Sequence, residues 1–125
     1  MNKSPAEKAL IRHRTAVADV GGHAIKEAVT VGVREIDVAM VGRDAMEPEI
    51  ARRFADAEYR GPRVGFQSRI NTDGAHNPVT GRVLQRGELA SLNAFAMISG
   101  ARARDDRRRS RRCLARNLGG QCRRR

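Results

Sequence analysis

The sequence predicts an α+β fold in which two helices precede a pair of antiparallel strands. Hydrophobic residues recur with a helical period through the first half of the chain. From Arg63 the pattern changes to short apolar runs separated by turn residues, which is typical of strands. An arginine-rich tail follows Gly100, and we expect it to be disordered because its like charges repel one another.

The first helix is predicted over residues 5–30. Ser4 suits the N-cap, Pro5 the first helical position, and Glu7 the third residue of a capping box. Adjacent glycines at 21 and 22 each weaken the helix by about 1 kcal/mol relative to alanine. The apolar positions predicted to form its buried face are Leu10, Ala16, Val17, Val20, Ala24, Ala28 and Val31.

The second helix is predicted over residues 35–54. Pro48 lies inside it, and an interior proline removes a backbone hydrogen bond at a cost of about 3 kcal/mol. We therefore expect a kink at Pro48 or two shorter helices. The predicted apolar stripe consists of Ile36, Ala39, Met40, Met46, Ile50 and Phe54.

Two strands are predicted after these helices. Residues 63–68 form a short one, and residues 89–98 form a longer, largely apolar strand that we expect to be buried. The residues between them are rich in turn chemistry, notably at 71–74, 77–78 and 84–88. An antiparallel pair around His76 follows from this arrangement.

The composition excludes several classes of protein. No apolar run is long enough to span a membrane, and the N-terminus lacks the hydrophobic region of a signal peptide, so we expect a cytoplasmic location. Cys113 and Cys122 lack the second pair or the histidines that a zinc site needs. Eleven arginines and two aspartates lie in the tail, so most of the net charge of +11 belongs there.

Five runs of residues carry a specific resemblance: 3–7, 18–22, 66–68, 70–80 and 92–100. They resemble the creatinases, which belong to the pita-bread superfamily with aminopeptidase P, prolidase and methionine aminopeptidase. The run Asn-Thr-Asp-Gly-Ala-His-Asn at 71–77 is the most specific of them. The resemblance implies an incomplete pita-bread catalytic-domain segment over residues 3–100, followed by a separate Arg-rich tail over residues 101–125.

The resemblance implies that the parent enzyme hydrolyses creatine to sarcosine and urea. His76 matches the residue that acts as general base and then general acid in creatinases, and an imidazole can do both near neutral pH. A lone histidine in a turn is also commonly structural. Asn93 matches the position at which the two-metal peptidase relatives carry a metal-binding Asp, and an amide is a poor ligand for hard cations. We therefore expect no metal and no cofactor.

The resemblance also implies what the chain lacks. Creatinases continue beyond the position of Gly100 with the residues that hold creatine, and an N-terminal domain completes the partner's site in their homodimers. None of these has a counterpart in the sequence. We expect an incomplete enzyme that is inactive alone, whose parent binds creatine or a related guanidino compound. Formation of the family homodimer is in doubt for the same reason.

Three alternatives stay open at this level. The chain is a fragment of an Xaa-Pro peptidase of the same superfamily, a small basic protein that binds nucleic acid through its tail, or a small interaction protein. The tail has no aromatic residue for base stacking, although its arginines predict non-specific binding to phosphates. An interaction protein would leave an apolar strand edge exposed to aggregation.

Arg69 departs from the family pattern, because creatinases have a glycine between the matching Ser and Ile. A glycine is needed where φ is positive, and arginine would be strained there. The sequence therefore poses the question of whether the backbone at Arg69 is left-handed.

We hypothesise that the Arg-rich tail is the product of a frameshift near Gly100. The resemblance stops there abruptly, and a GC-rich gene read out of frame gives arginine-rich, apolar-poor peptides. Sequencing the locus should reveal a creatinase-like continuation in another frame downstream of the codon for Gly100. Absence of that continuation from all frames would refute the hypothesis.

Overall fold

The structure, a computed structural model, describes residues 3–55, 57, 60–74 and 76–98. Two helices, α1 (Pro5–Ala28) and α2 (Glu35–Arg53), precede the strand β1 (Arg60–Ser68), a short 3-10 turn (Arg69–Thr72) and the strand β2 (Ala90–Ile98). This order confirms the predicted α+β class. The Arg-rich tail, for which disorder was predicted, lies outside the described residues together with Cys113 and Cys122.

The capping box at the start of α1 is confirmed. The Glu7 backbone N–H donates to Ser4 Oγ at 3.2 Å, and the Ser4 N–H donates to Glu7 Oε2 at 2.7 Å. Two backbone donors that the first turn cannot satisfy internally thereby obtain partners. The helix ends at Ala28, two residues before the predicted boundary at residue 30.

The buried face of α1 is rotated from the predicted one. Its buried residues are Arg14, Val17, Gly21 and Ile25. Val20 is 38% exposed and Val31 is 55% exposed, so the prediction that they face the core is wrong. The spacing of three or four residues is the predicted one, but neighbouring positions on a helix point about 100° apart, so a shift by one residue changes the face.

Helices α1 and α2 come into close contact at two glycines. A Cβ atom on Gly21 would lie 2.7 Å from Met46 Cγ and 3.1 Å from the backbone oxygen of Gly42. A Cβ atom on Gly42 would overlap the side chain of Ile25. Both positions therefore require glycine for this approach, whereas Gly22 has nothing within 4 Å of such an atom.

Helix α2 continues through Pro48 as one element, so it is not divided into two shorter pieces. Met40 is 51% exposed, which contradicts its predicted place in the apolar stripe. Ala39, Met46 and Ile50 are buried as predicted. Val38 and Gly42 are also buried, although the sequence pattern did not single them out.

The two strands pair antiparallel, as predicted, from Arg60 opposite Ile98 to Ser68 opposite Ala90. The first strand begins three residues before the predicted Arg63, and the second begins one residue after the predicted Leu89. Side chains alternate between the two faces. One face packs on the helices and contributes to two hydrophobic clusters, and its members include Val64, Phe66, Leu92, Ala96 and Ile98.

The opposite face of the sheet, here called the outer face, carries Gly65, Gln67, Ser91 and Asn93. Ser91 is exposed and Asn93 is half-buried. The second strand, which we expected to be buried, is fully buried only at Ala90, Ala96 and Ile98, because only one face of the sheet is covered by the described helices. No helix among the described residues combines the length and apolar character of a membrane span.

Arg69 has a φ of 47°, and it is the single non-glycine residue with positive φ in the described ranges. The left-handed conformation costs a residue with a Cβ atom about 1–2 kcal/mol. The backbone at this position therefore suits the glycine of the family pattern.

We expect Arg69→Gly to raise the free energy of unfolding by about 0.5 to 1 kcal/mol, since relief of strain exceeds the entropy that glycine loses on folding. Urea titration measures this change. Arg69→Ala is the matched control, because it removes the charge and keeps the Cβ atom. An equal gain in both variants would assign the effect to charge instead of backbone conformation.

Candidate catalytic loop

Residues 71–80 form the turn-rich loop after β1, and the chain at its end runs beside the N-terminus of α2. The Glu35 N–H donates to the carbonyl of Arg82 at 2.9 Å, and the Ile36 N–H donates to the carbonyl of Thr80 at 3.0 Å. First-turn donors of a helix have no partner within the helix. The returning chain satisfies them, which fixes the end of the loop against α2.

The side chain of Glu35 occupies the space between this segment and β1, and the residue is fully buried. Its Oε1 accepts hydrogen bonds from the Ser68 N–H at 2.7 Å and from Ser68 Oγ at 2.6 Å. Its Oε2 accepts from Thr80 Oγ1 at 2.6 Å and from the Thr80 N–H at 3.2 Å. Asn71 Nδ2 donates to Oε2 at 3.0 Å. We call Glu35, Ser68, Asn71 and Thr80 the Glu35 clamp.

The clamp keeps the carboxylate of Glu35 ionised. Burial acts to raise its pKa, but the hydrogen bonds from Ser68, Thr80 and Asn71 outweigh burial and hold the pKa below its ordinary value. The position of Glu35 in the first turn of α2 also favours a negative charge, because the helix dipole is positive there. The structure thus contains a buried anion whose charge is stabilised by donors from three chain segments.

A partly buried ion pair supports the clamp. Arg82 Nη1 donates to Glu88 Oε2 at 2.7 Å and to Ser68 Oγ at 2.7 Å, and Arg82 Nη2 donates to the other carboxylate oxygen of Glu88. The hydrogen bonds from Arg82 hold the pKa of Glu88 below its ordinary value. A hydroxyl group can donate one hydrogen bond while accepting others. Ser68 uses both capacities and links Arg82 to Glu35.

The tip of the loop is fixed through Asn77. Gln67 Nε2 donates to the Asn77 carbonyl at 2.8 Å, and Asn77 Nδ2 donates to the Asn71 carbonyl at 3.1 Å. The same amide group also donates to Asp73 Oδ1. A Cβ atom on Gly74 would overlap the Asn77 side chain, so a larger residue there would displace the amide group that fixes the tip.

His76 directly precedes Asn77 at this tip and is exposed. Gln67, which holds Asn77, lies on the outer face of the sheet, and that face also carries Asn93 opposite Gly65. The structure therefore brings the loop with His76 to the face on which Asn93 lies. The catalytic role of His76 stays a prediction.

Glu35, Arg82 and Glu88 were not predicted from the sequence. A carboxylate in the first turn of a helix is normally solvated, and charged residues are seldom fully buried unless paired. The donors to Glu35 come from residues 33 to 45 positions further along the chain. The only available signal was that Ser68, Asn71 and Thr80 belong to the runs that resemble creatinase.

The residues that the structure describes contain no group of three or more His, Cys, Asp or Glu side chains that could hold a metal ion. At the position of Asn93, the outer face carries an amide instead of a carboxylate. The expectation of a metal-free site, which was made from that residue, stays a prediction.

Comparison with known proteins supports a partial creatinase-like match for this α+β segment and its His76 loop. The chain is 52% identical over 100 residues to the creatinase of Bacillus sp. (strain B-0618). The match is partial: it covers 80% of this chain but 24% of that protein. The α+β arrangement is consistent with a place in the pita-bread fold. No protein-family profile matches the chain.

The match includes the loop. A continuous stretch of 100 residues within a chain of 125 must contain residues 26–100, whichever end it starts from. Glu35, Ser68, Asn71, His76 and Thr80 all lie in that range. The chain spans about a quarter of the length of the creatinase that it matches.

Acid is expected to weaken the fold through Glu35. Because the folded-state pKa of Glu35 lies below its ordinary value of 4.5, its stabilising contribution is complete above that value and is lost as the pH falls through the folded-state pKa. Glu35→Gln should lower the free energy of unfolding by roughly 2–4 kcal/mol at neutral pH. The same substitution should also reduce the further loss of free energy of unfolding when the pH is lowered from about 5 to about 3.

Urea titrations at several pH values measure both effects. Glu47→Gln is the control, since Glu47 is an exposed carboxylate on the same helix α2, where solvent screens its interactions. An acid dependence that is the same in Glu35→Gln and in the unaltered chain would contradict the assignment.

Proposed function

We propose that the described segment supplies the acid–base loop of a creatinase-type amidinohydrolase, with His76 as the group that transfers the proton. The reaction is the hydrolysis of creatine to sarcosine and urea. The observation that carries the proposal is an exposed histidine on a loop fixed at both flanks, within a segment 52% identical to a creatinase.

The chemistry requires two proton transfers by one group. His76 removes a proton from water as the water oxygen attacks the guanidinium carbon of creatine, and a tetrahedral intermediate forms. The bond from that carbon to the methylated nitrogen then breaks, and His76 delivers the proton to the departing nitrogen. An imidazole suits both steps because it can accept and release a proton near neutral pH.

The placement of His76 favours this role over a purely structural one. Exposure lets the guanidinium group of creatine reach the ring, and the hydrogen bonds of Asn77 limit the positions that the ring can take. Restricting a reacting group in this way is a large part of what an enzyme gains from proximity.

We propose that the chain alone does not turn creatine over. General acid–base catalysis contributes only about 10²–10⁴-fold. The groups that bind the guanidinium and carboxylate of creatine must supply the remainder through orientation and electrostatic stabilisation. Creatine or a related guanidino compound as substrate of the parent enzyme and a cytoplasmic location belong to the same proposal, whereas formation of the family homodimer is in doubt for this chain. A sedimentation measurement of the chain tests the dimer.

A chimera tests the function. Residues 3–98 of this chain replace the matching segment of the Bacillus creatinase, and urea release from creatine is measured. The chimera should hydrolyse creatine, and His76→Asn should lower its kcat by about 10²–10⁴-fold. His23→Asn is the matched control, because His23 is exposed on α1 and should leave kcat unchanged.

Two results would count against the proposal. Unchanged urea release in the His76→Asn chimera would remove His76 from the reaction. Cleavage of an Xaa-Pro dipeptide that depends on added Mn²⁺, without urea release from creatine, would favour the peptidase alternative. We expect neither, because Asn93 offers an amide where a bridging carboxylate is needed.

A further inference from the structure

We infer that Glu35 is the positioning residue for His76: its buried carboxylate closes the base of the loop and thereby fixes the orientation of the ring at its tip. The inference rests on the proposed function, because positioning matters only if His76 transfers a proton. Three features of the Glu35 clamp support it: the position of its donors, their connection to the tip of the loop, and their need for a charged acceptor.

The donors lie at both ends of the loop. Asn71 stands at its beginning and Thr80 at its end, and both donate to Glu35 Oε2. Asn71 Nδ2 also donates to Thr80 Oγ1 at 3.0 Å, so the two ends are joined directly. Ser68, at the end of β1, donates to the other oxygen of the same carboxylate. One buried side chain therefore sets where the loop leaves the sheet and where it returns.

A short path connects the clamp to His76. Asn71 donates to Glu35 through its side chain, and its backbone carbonyl accepts the hydrogen bond from Asn77 Nδ2 at 3.1 Å. Asn77 is the residue next to His76. A displacement of Asn71 is thus transmitted through one hydrogen bond to the neighbour of the proposed catalytic ring.

The clamp requires a carboxylate and not simply a polar group. Each of these partners donates a hydrogen bond to the Glu35 side chain, and none of them accepts one from it. A carboxylate meets this requirement because both of its oxygens accept. A glutamine of the same shape presents an NH₂ group at one of these two places. That group would face either the Ser68 donors or the Thr80 donors, and the corresponding anchor would open.

The helix and sheet packing has separate supports. Val17, Met46 and Ile50 form a hydrophobic cluster with the far end of the sheet, and Glu35 is not part of it. Loss of the clamp should therefore release the loop while the arrangement of α1, α2 and the strands remains. This separation makes a positioning role experimentally distinct from a general structural one.

The test uses the full chain and the ring signals of its three histidines, His13, His23 and His76. The ¹H–¹³C correlation spectrum is recorded at one neutral pH for the unaltered chain, Glu35→Gln, Asn71→Ala and the surface control Glu47→Gln. Amide order parameters of Thr72, Gly74 and Asn77 are measured in parallel. Thr80→Ser is the conservative variant, because it keeps both the hydroxyl and the N–H donor.

We expect the His76 signal to move in Glu35→Gln and Asn71→Ala, whereas the signals of His13 and His23 on α1 stay in place. The order parameters of the loop should fall from about 0.85 to below about 0.6. Glu47→Gln and Thr80→Ser should match the unaltered chain.

An unchanged His76 signal in folded Glu35→Gln would overturn the inference. If that variant does not fold, Asn71→Ala decides in the same way, because it leaves Glu35 bonded to Ser68 and Thr80. Unfolding of both variants would also overturn it, since the clamp would then be inseparable from the fold. These signals do not depend on turnover, so a failure of the proposed function in the chimera is recognised separately.

Discussion

The buried carboxylate of Glu35 is the interaction on which the arrangement of the loop depends. Removing an ion from water costs several kcal/mol, and it is tolerated only when other groups replace the lost hydration. Here Ser68, Asn71 and Thr80 replace it with hydrogen bonds of 2.6–3.2 Å. These donors come from β1 and from both ends of the loop, so satisfying one charge joins a helix, a strand and a candidate catalytic segment.

The ion pair of Arg82 and Glu88 extends this polar network and orients the hydroxyl group of Ser68. Arg82 donates to Ser68 Oγ, which directs the hydroxyl proton of Ser68 toward Glu35. Hydrogen-bond chains of this kind polarise one another in a medium of low dielectric constant. The hydrophobic cluster of Ile25, Val38 and Phe66 lies within the same helix–sheet layer and excludes water from its interior.

Features set by neighbouring residues could be predicted from the sequence, and features set by distant contacts could not. The capping box at Ser4 and the antiparallel strands follow from local signals, and the structure confirms them. The exposure of Val20 and Met40 depends on how far each helix is rotated about its axis, which the contact between α1 and α2 decides. The motif at 71–77 drew attention to His76, whereas Glu35 gave no local sign that it would be buried.

The crossing of α1 over α2 at Gly21 and Gly42 has a consequence for how such a segment can change over time. The lack of a side chain at each glycine makes room for a bulky side chain from the other helix. Met46 of α2 lies beside Gly21, and Ile25 of α1 lies beside Gly42. Residues in direct contact do not contribute independently to stability. A larger residue on one helix is therefore accommodated only alongside a smaller one on the other, so each helix constrains the substitutions that its neighbour can accept.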